Sequence, residues 1–248
     1  MSIKVAVRVR PFNDREKSLQ AAGAESQDST VHGKCIVQMN GPMTTIIDPV
    51  TGQARPFTFD YSFYSHDDFV VDKDGINVPK DEHSIYADQS FVYQSLGEQV
   101  LDNAWQGYHC CLFAYGQTGS GKSYSMIGHG KNKGIVPKAC DEIFKRIRAN
   151  EDPNLSYQVQ ISMLEIYNEK VQDLLATGPQ PTSGLKVREL KKGEVYVHGL
   201  SKHPVDSYDA IAQKMDEGYE LRSIGSTLMN QTSSRAHTII TIEFKQIM

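Results

Sequence analysis

The chain contains no apolar run long enough to cross a membrane as a helix. Its 248 residues are 39% hydrophobic and 23% charged, which is typical of a globular protein of one large or two small domains. A membrane-spanning helix needs about 18 or more consecutive apolar residues. The first residues, MSIKVAVRVRPF, alternate apolar and basic side chains and lack the continuous apolar centre of a secretory signal peptide. We therefore expect a cytoplasmic protein.

Cysteine is scarce, and there is no excess of basic residues. Cys35, Cys110, Cys111 and Cys140 match no zinc-ligand spacing, and the adjacent pair lies inside an apolar run, so we expect buried, reduced thiols. The net charge of −4 does not favour binding to nucleic-acid phosphates through a basic surface. We expect no nucleic-acid partner.

The acidic segment 67–82, DDFVVDKDGINVPKDE, contains a DKDG sequence of the kind that begins a calcium loop. The remaining ligand spacing and the distal glutamate of an EF-hand are missing. The segment is therefore predicted to be a solvated insertion.

Strand-like and helix-like patterns alternate along the chain, which predicts one α/β domain over residues 1–248. The run 109–115, HCCLFAY, is continuously apolar and is predicted to be a strand buried on both faces of a sheet. Residues 170–175, KVQDLL, are predicted to form a short helical turn, and residues 13–33 a surface loop. Other predicted strands lie within 3–9, 34–39, 44–49, 55–64, 156–169, 185–200 (two strands) and 236–248, and predicted helices within 86–107, 137–150 and 207–222, with a further helix starting near Lys122.

Residues 116–123, GQTGSGKS, fill every fixed position of the phosphate-loop pattern G-x-x-x-x-G-K-[ST]. Its glycines allow the backbone N–H groups to approach phosphate oxygens, and the following helix adds the positive end of its dipole. Lys122 supplies an ammonium group for the outer phosphates, and the Ser123 hydroxyl is a ligand for Mg²⁺. Nucleotide kinases, GTPases, helicases and motors share this pattern, so it predicts nucleotide binding without selecting among them.

Several segments together resemble the kinesin motor domain. FAYGQTGSGKSYSMIG (113–128) is similar to the kinesin phosphate loop, and VRVRPF, FDYSF, GIVP, LEIYNE, DLL, YVHGL and NQTSSRAH resemble other kinesin segments in the same order. The resemblance extends from Ile3 to the last residue and is closest to the kinesin-three transport class. It implies a three-layer P-loop NTPase sandwich, in which a mixed central sheet carries helices on both faces.

The same resemblance implies a microtubule-stimulated ATPase that moves along microtubules, with ATP/ADP and Mg²⁺ as cofactors. The location would be the cytoplasm and cytoskeleton, and the parent protein would contain a coiled coil. Membranes would be reached only indirectly, through cargo regions outside this chain.

For the nucleotide, the resemblance implies that Arg8 and Pro11 border one side of the adenine and that Tyr93 stacks on the other. An ordinary core position is the alternative for Tyr93, since aromatic side chains usually fill cores. The phosphates would be held by Gly116, Gln117, Thr118, Gly119, Ser120, Gly121, Lys122, Ser123 and Tyr124.

Residues 230–237, NQTSSRAH, resemble the kinesin switch I pattern N-x-x-S-S-R-S-H, with Ala236 in the place of a serine. Ser233 and Ser234 would sense the γ-phosphate and the water shell of Mg²⁺, Asn230 would help close the loop, and Arg235 would pair with a glutamate of switch II. The implied catalytic set is Lys122, Ser123, Asn230, Ser233, Ser234 and Arg235, and the implied metal ligands are Ser123 and Ser234.

No D-x-x-G sequence of the switch II type follows Ser123. We therefore expect that the C-terminal part of the kinesin fold is missing and that hydrolysis is impaired, since loss of one transition-state contact often costs about 10²–10³ in rate. The segments CCLFAY and IITIEF should then expose unpaired apolar edges, so the chain alone should be poorly stable unless a second chain fills the gap.

Two other functions stay open. One is a non-motile, nucleotide-binding kinesin-like fragment or scaffold, which the absence of switch II favours. The other is an unrelated P-loop enzyme such as a small-molecule kinase, although no arginine-rich lid for an acceptor is found.

Overall fold

The structure is a computed structural model that describes residues 3–18, 35–190, 193–228 and 236–248. The chain divides into two compact units, Met1–Val136 and Pro137–Met248. Each unit combines helices with its own sheets. Within the described ranges, no helix is both long and apolar enough to span a membrane.

The first unit begins with a two-stranded parallel sheet. Strand β1 (Ala6–Val9) pairs with β5 (Tyr61–Tyr64), as the alternation of apolar and basic residues at the N-terminus predicts. The predicted aromatic strand 55–64 is in fact two strands, because β4 ends at Thr58 and the chain leaves its sheet before β5 begins. An antiparallel sheet contains β2 (Val37–Asn40), β3 (Met43–Ile47) and β4 (Ala54–Thr58).

The acidic insertion folds as a small hairpin of β6 (Phe69–Val71) and β7 (Asn77–Pro79). The Asp72 carboxylate closes its turn by accepting hydrogen bonds from the N–H groups of Asp74 and Ile76. In the described part of the chain, no cluster of three or more His, Cys, Asp or Glu side chains could hold a metal ion. Of the acidic residues here, Asp72 therefore stabilises the turn.

The helices of the first unit agree with the predicted spacing, with one addition. Residues 14–18 form α1, where a loop was predicted. Asn13 and Glu16 form a reciprocal capping box, in which each side chain accepts a hydrogen bond from the other residue's N–H. The predicted helix 86–107 contains α2 (Gln89–Val92), a π-helical turn (Tyr93–Gly97) and α3 (Glu98–Trp105), and α4 (Lys122–Met126) is followed by the short hairpin of β8 (Gly128–His129) and β9 (Asn132–Lys133).

The predicted buried strand 109–115 is the main error in this unit. The structure assigns it no strand, and Phe113 and Tyr115 are 79% and 96% exposed. Cys110 and Cys111 are exposed as well, so that among the four cysteines only Cys140 is buried as predicted. The physical reason is that no strand in the described part of the chain pairs with this segment. The apolar exposure expected for CCLFAY without a neighbouring strand is observed, but in a segment that has no strand structure.

The second unit is organised around one long strand, β10 (Ser156–Tyr167). It pairs antiparallel with β15 (His237–Ile247) along most of its length, and β15 has no other partner among the described strands. The predicted helical turn 170–175 is wrong: β11 (Lys170–Asp173) folds back on β10 through Asn168 and Glu169, which have φ angles of 48° and 62°. The remaining strands are β12 (Lys186–Glu189), β13 (Val195–His198) and β14 (His203–Val205).

Two helices complete the second unit. Helix α5 (Ile135–Arg148) begins at the boundary between the units, and α6 (Tyr208–Leu228) contacts β10. The core of this unit includes Ile161, Met163 and Ile211, which are all 0% exposed. Burial of these apolar side chains is the main stabilising contribution to the contact.

Candidate functional site

The loop 116–123 joins the exposed segment 109–115 to helix α4. Its backbone turns where the Ser120 N–H donates to the Gln117 carbonyl at 3.1 Å. Gly119 and Gly121 have φ angles of 80° and 96°, a region that L-residues with a Cβ atom disfavour. Gly121 is the N-cap of α4. Glycine at these positions therefore permits the sharp entry into the helix.

Lys122 lies over its own loop. Its ammonium group donates to the Gly116 carbonyl at 2.7 Å and to the Gln117 carbonyl at 2.9 Å. A Cβ atom added at Gly116 would lie 2.5 Å from the Ser120 hydroxyl oxygen, so a side chain at this position would require Ser120 to move. The loop thus brings a bare backbone and a positive charge together, which is the chemistry a phosphate group requires.

Arg10 supports the other side of the loop through a hydrogen bond. Its Nε donates to the Gly119 carbonyl at 2.7 Å, and its two terminal nitrogens hold the Glu16 carboxylate at 2.7 and 2.8 Å. The Arg10 hydrogen bonds, with one from the Asn13 N–H, lower the pKa of Glu16 to about 2. The Arg10 side chain therefore links the loop to the start of α1.

Arg8 lies deeper than Arg10, and its guanidinium donates hydrogen bonds to other protein groups. Its Nε donates to the Ser65 hydroxyl at 2.9 Å, and Nη1 donates to the Gln89 amide oxygen at 2.7 Å and to the Ser125 hydroxyl at 3.1 Å. Nη2 donates to the Ala87 carbonyl at 3.3 Å. Burial lowers the pKa of Arg8, and these acceptors compensate the charge.

A cavity of about 190 Å³ opens next to the loop. Predicted site residues that line it are Arg8, Pro11, Ser120, Gly121, Lys122 and Tyr124. Tyr93 does not line it: the residue is only 8% exposed, and its ring lies against Gly97 in the π-helical turn. Apolar side chains complete the wall, namely Phe63, Val92, Leu96, Leu112, Phe113, Met126 and Ile135.

The predicted switch I segment lies almost entirely outside the part of the chain that the structure describes. Asn230, Ser233, Ser234 and Arg235 lie outside the described residues, and the description resumes at Ala236, just before β15. Ser123 is exposed at the start of α4. The catalytic and metal-ligand roles of these residues stay predictions.

Sequence reasoning missed two contributors to the site, Arg10 and Gln89. A signal for Arg10 was present, because residues two apart on a strand share a face and Arg8 was already assigned to the site. Nothing in the local sequence marks Gln89, whose partners are 35 and 81 residues away. Its role becomes visible only in the folded chain.

The phosphate loop on an α/β scaffold defines a protein of the P-loop class. A family model described as the kinesin motor domain matches residues 8–248, and the chain belongs to this family. The kinesin-like protein KIF28 of Mus musculus is 44% identical over 247 residues, and KIF1A of Rattus norvegicus is 44% identical over 249 residues. These alignments cover 99% of this chain but only 23% and 13% of those proteins, so the chain spans a small part of their length.

Solved kinesin structures share the fold. A KIF14 segment described as an ADP form in complex with a microtubule is 37% identical, with a TM-score of 0.78. A structure titled as that of a fast kinesin is 32% identical, also with a TM-score of 0.78. Each match covers 99% of this chain, and 62% and 60% of the other chain respectively. The predicted α/β P-loop fold of the kinesin motor type is thereby confirmed.

Proposed function

We propose that this chain is the ATP-binding part of a microtubule-based kinesin motor and that both compact units belong to one motor domain. The observation that carries the proposal is the loop 116–123, in which Lys122 lies over a backbone with glycines at positive φ, within a chain of the kinesin family. The family match, which runs through both units, supports a single domain.

The loop residues would bind and orient the triphosphate. Lys122 would exchange its contacts with the Gly116 and Gln117 carbonyls for contacts with phosphate oxygens, a charge-assisted exchange that favours the ligand. Phosphoryl transfer relies mainly on positioning and electrostatics, so no nucleophilic side chain is needed. Asn230, Ser233, Ser234 and Arg235 would respond to the γ-phosphate, as the family resemblance implies.

The residues present fit a magnesium ion that arrives with the nucleotide. Mg²⁺ usually binds through substrate phosphates, waters and one or two protein oxygens, and does not need an all-protein cage. The described residues contain no cluster of three metal-ligating side chains, whereas the exposed Ser123 hydroxyl is available beside the loop. Ser123 would hold the ion, with Ser234 near its water shell, and the ion would neutralise phosphate charge.

Microtubules are the proposed partner, and the cytoskeleton, within the cytoplasm, is the proposed location. The solved KIF14 structures are described as complexes with microtubules, in ADP and AMP-PNP forms. The alternative function is a kinesin-like protein that binds nucleotide without moving along microtubules.

The test is ATP hydrolysis by the purified chain, with and without polymerised tubulin, beside a Lys122→Ala control. Stimulation by microtubules that the control abolishes would support the motor. Nucleotide binding that depends on Lys122, without stimulation, would support the non-motile alternative. Absence of any nucleotide binding by the folded chain would contradict both.

A further inference from the structure

Gln89 is an unusual polar residue for the interior of the first unit. It is the first residue of α2, where Asp88 is the N-cap, and it is only 3% exposed. Burying an amide side chain is unfavourable unless its donors and acceptors find partners. Both ends of the Gln89 amide have such partners, and they belong to two different elements.

One end of the amide contacts the phosphate-loop helix. Gln89 Nε2 donates to the Tyr124 carbonyl at 2.6 Å. The last four carbonyls of a helix have no intrahelical donor, and in the five-residue helix α4 these include Tyr124. The Gln89 side chain therefore caps α4 from a segment 35 residues earlier in the chain.

The other end contacts Arg8 on β1. Gln89 Oε1 accepts from Arg8 Nη1 at 2.7 Å, and the same Nη1 donates to Ser125 of α4 at 3.1 Å. The Arg8 guanidinium also lies 5.4 Å from the centre of the Tyr124 ring. Arg8 is itself fixed by Ser65 on its Nε side. Helix α4 is thus tied to β1 by two side chains, Gln89 and Arg8, which are hydrogen-bonded to each other.

We infer that Gln89 is a positioning residue for the phosphate loop. Together with Arg8, it fixes α4, and thereby Lys122 and Ser123, in the orientation that the nucleotide requires. We call the contacts of Gln89 and Arg8 with α4 the clamp. The inference rests on the proposed nucleotide binding, although the clamp itself can be measured without nucleotide. It gives Arg8, which also lines the cavity beside the loop, a role in holding α4.

Two variants of Gln89 test the clamp. Gln89→Met has a similar length and removes both hydrogen bonds. Gln89→Glu keeps the acceptor for Arg8 and loses the donor to Tyr124. The matched control is Thr44→Val, which removes the hydrogen bond between the buried Thr44 and the Ser62 hydroxyl in the same unit, while Ser62 keeps its bond to the Pro42 carbonyl.

The first measurement is hydrogen–deuterium exchange of the full chain, followed in peptides that cover residues 116–127. Both Gln89 variants should increase exchange at α4 about tenfold or more, as expected when a buried hydrogen bond is lost, whereas Thr44→Val should leave these peptides unchanged. The second measurement is the affinity for a fluorescent ADP analogue with Mg²⁺. It should fall about tenfold in both Gln89 variants, and not in the control.

Equal exchange at α4 in wild type and both Gln89 variants would overturn the clamp. So would exchange and affinity changes that Thr44→Val reproduces, since these would reflect general destabilisation. If the wild-type chain does not bind the ADP analogue, the proposed function fails, and the exchange measurement alone decides on the clamp.

Discussion

Arg10 and Glu16 form a bidentate ion pair at the edge of the phosphate loop, with Nη1–Oε2 and Nη2–Oε1 distances of 2.7 and 2.8 Å. The same arginine donates through Nε to the Gly119 carbonyl at 2.7 Å. The Glu16 carboxylate, which is not part of the phosphate-loop pattern, therefore helps to orient the Arg10 side chain that supports the loop. This relationship makes the loop sensitive to the charge of Glu16.

Glu16 should give the chain a component of acid sensitivity. Because its pKa is lowered from 4.5 to about 2 in the folded state, the ionised form stabilises the fold above about pH 4.5, and this contribution is lost as the pH falls from 4.5 towards 2. The pair is partly exposed, so its contribution should stay below about 1 kcal/mol. In urea unfolding, Glu16→Gln should be less stable than wild type at pH 6 and should approach it near pH 2.

The control for this experiment is Asp14→Asn, whose carboxylate is fully exposed and lies 3.8 Å from Lys17. It should unfold like the wild type throughout the pH range. A difference between Glu16→Gln and wild type that is the same at pH 6 and pH 2 would contradict the role of the carboxylate charge.

Gly121 is required by its backbone conformation and by its place in the loop. With φ at 96°, Gly121→Ala should cost about 1–2 kcal/mol of stability, because a Cβ atom is strained in this region. Gly75→Ala is the matched control: its φ is 77°, and nothing lies within 4 Å of the added Cβ. Both variants should lose similar stability in urea unfolding.

The two glycine variants should differ in nucleotide affinity. Gly121→Ala should weaken binding of a fluorescent ADP analogue about tenfold or more, because the strain displaces the amides that would face phosphate, whereas Gly75→Ala should bind like wild type. Equal affinities for wild type and Gly121→Ala would show that the loop conformation seen here is not the one that binds nucleotide.

The turn between β10 and β11 offers a stabilising substitution. Asn168 and Glu169 both have positive φ, the conformation of a two-residue hairpin turn in which Asn-Gly is preferred. Glu169→Gly should raise the free energy of unfolding by about 0.5 kcal/mol, since relief of strain exceeds the added flexibility of the unfolded chain. Glu169→Ala retains the Cβ atom and should give no gain. A Glu169→Gly variant less stable than wild type would contradict this account of the turn.

Elements with a strong internal pattern were predictable, and those that depend on distant partners were not. The alternation in β1 and β10 and the helical spacing before Gly107 gave the correct element types. The segment 170–175 was wrong because its pattern is too short to distinguish a turn of helix from a strand, and pairing with β10 decided the outcome. The segment 109–115 has the composition of a buried strand, but a strand also needs a hydrogen-bonding partner.

The candidate site shows the same division. The phosphate loop could be predicted because its glycines, lysine and serine lie within eight consecutive residues. The structure places Lys122 over this loop. The partners of Arg8 are not contiguous with it: Ser65 is 57 residues away and Gln89 is 81 residues away. Local spacing therefore predicted the residues that would contact the phosphates. It did not predict the side chains from distant parts of the chain that hold those residues in position.

Helix α6 and strand β10 approach closely at Gly218, and this contact predicts a change of sign in a double-mutant cycle. A Cβ atom added at Gly218 would clash with Met163 Sδ and would lie 3.5 Å from Leu175 Cδ2. Met163 is fully buried, so Gly218→Ala should destabilise the chain by about 1–3 kcal/mol, despite the higher helix propensity of alanine. Met163→Ala alone should cost about 2–5 kcal/mol, because it leaves a cavity. In the Met163→Ala background, however, Gly218→Ala should be stabilising, because its methyl group enters that space and alanine favours the helix. Urea unfolding of the four proteins measures the cycle, and additive effects of the two substitutions would mean that Gly218 is not where the helix and the strand are in contact.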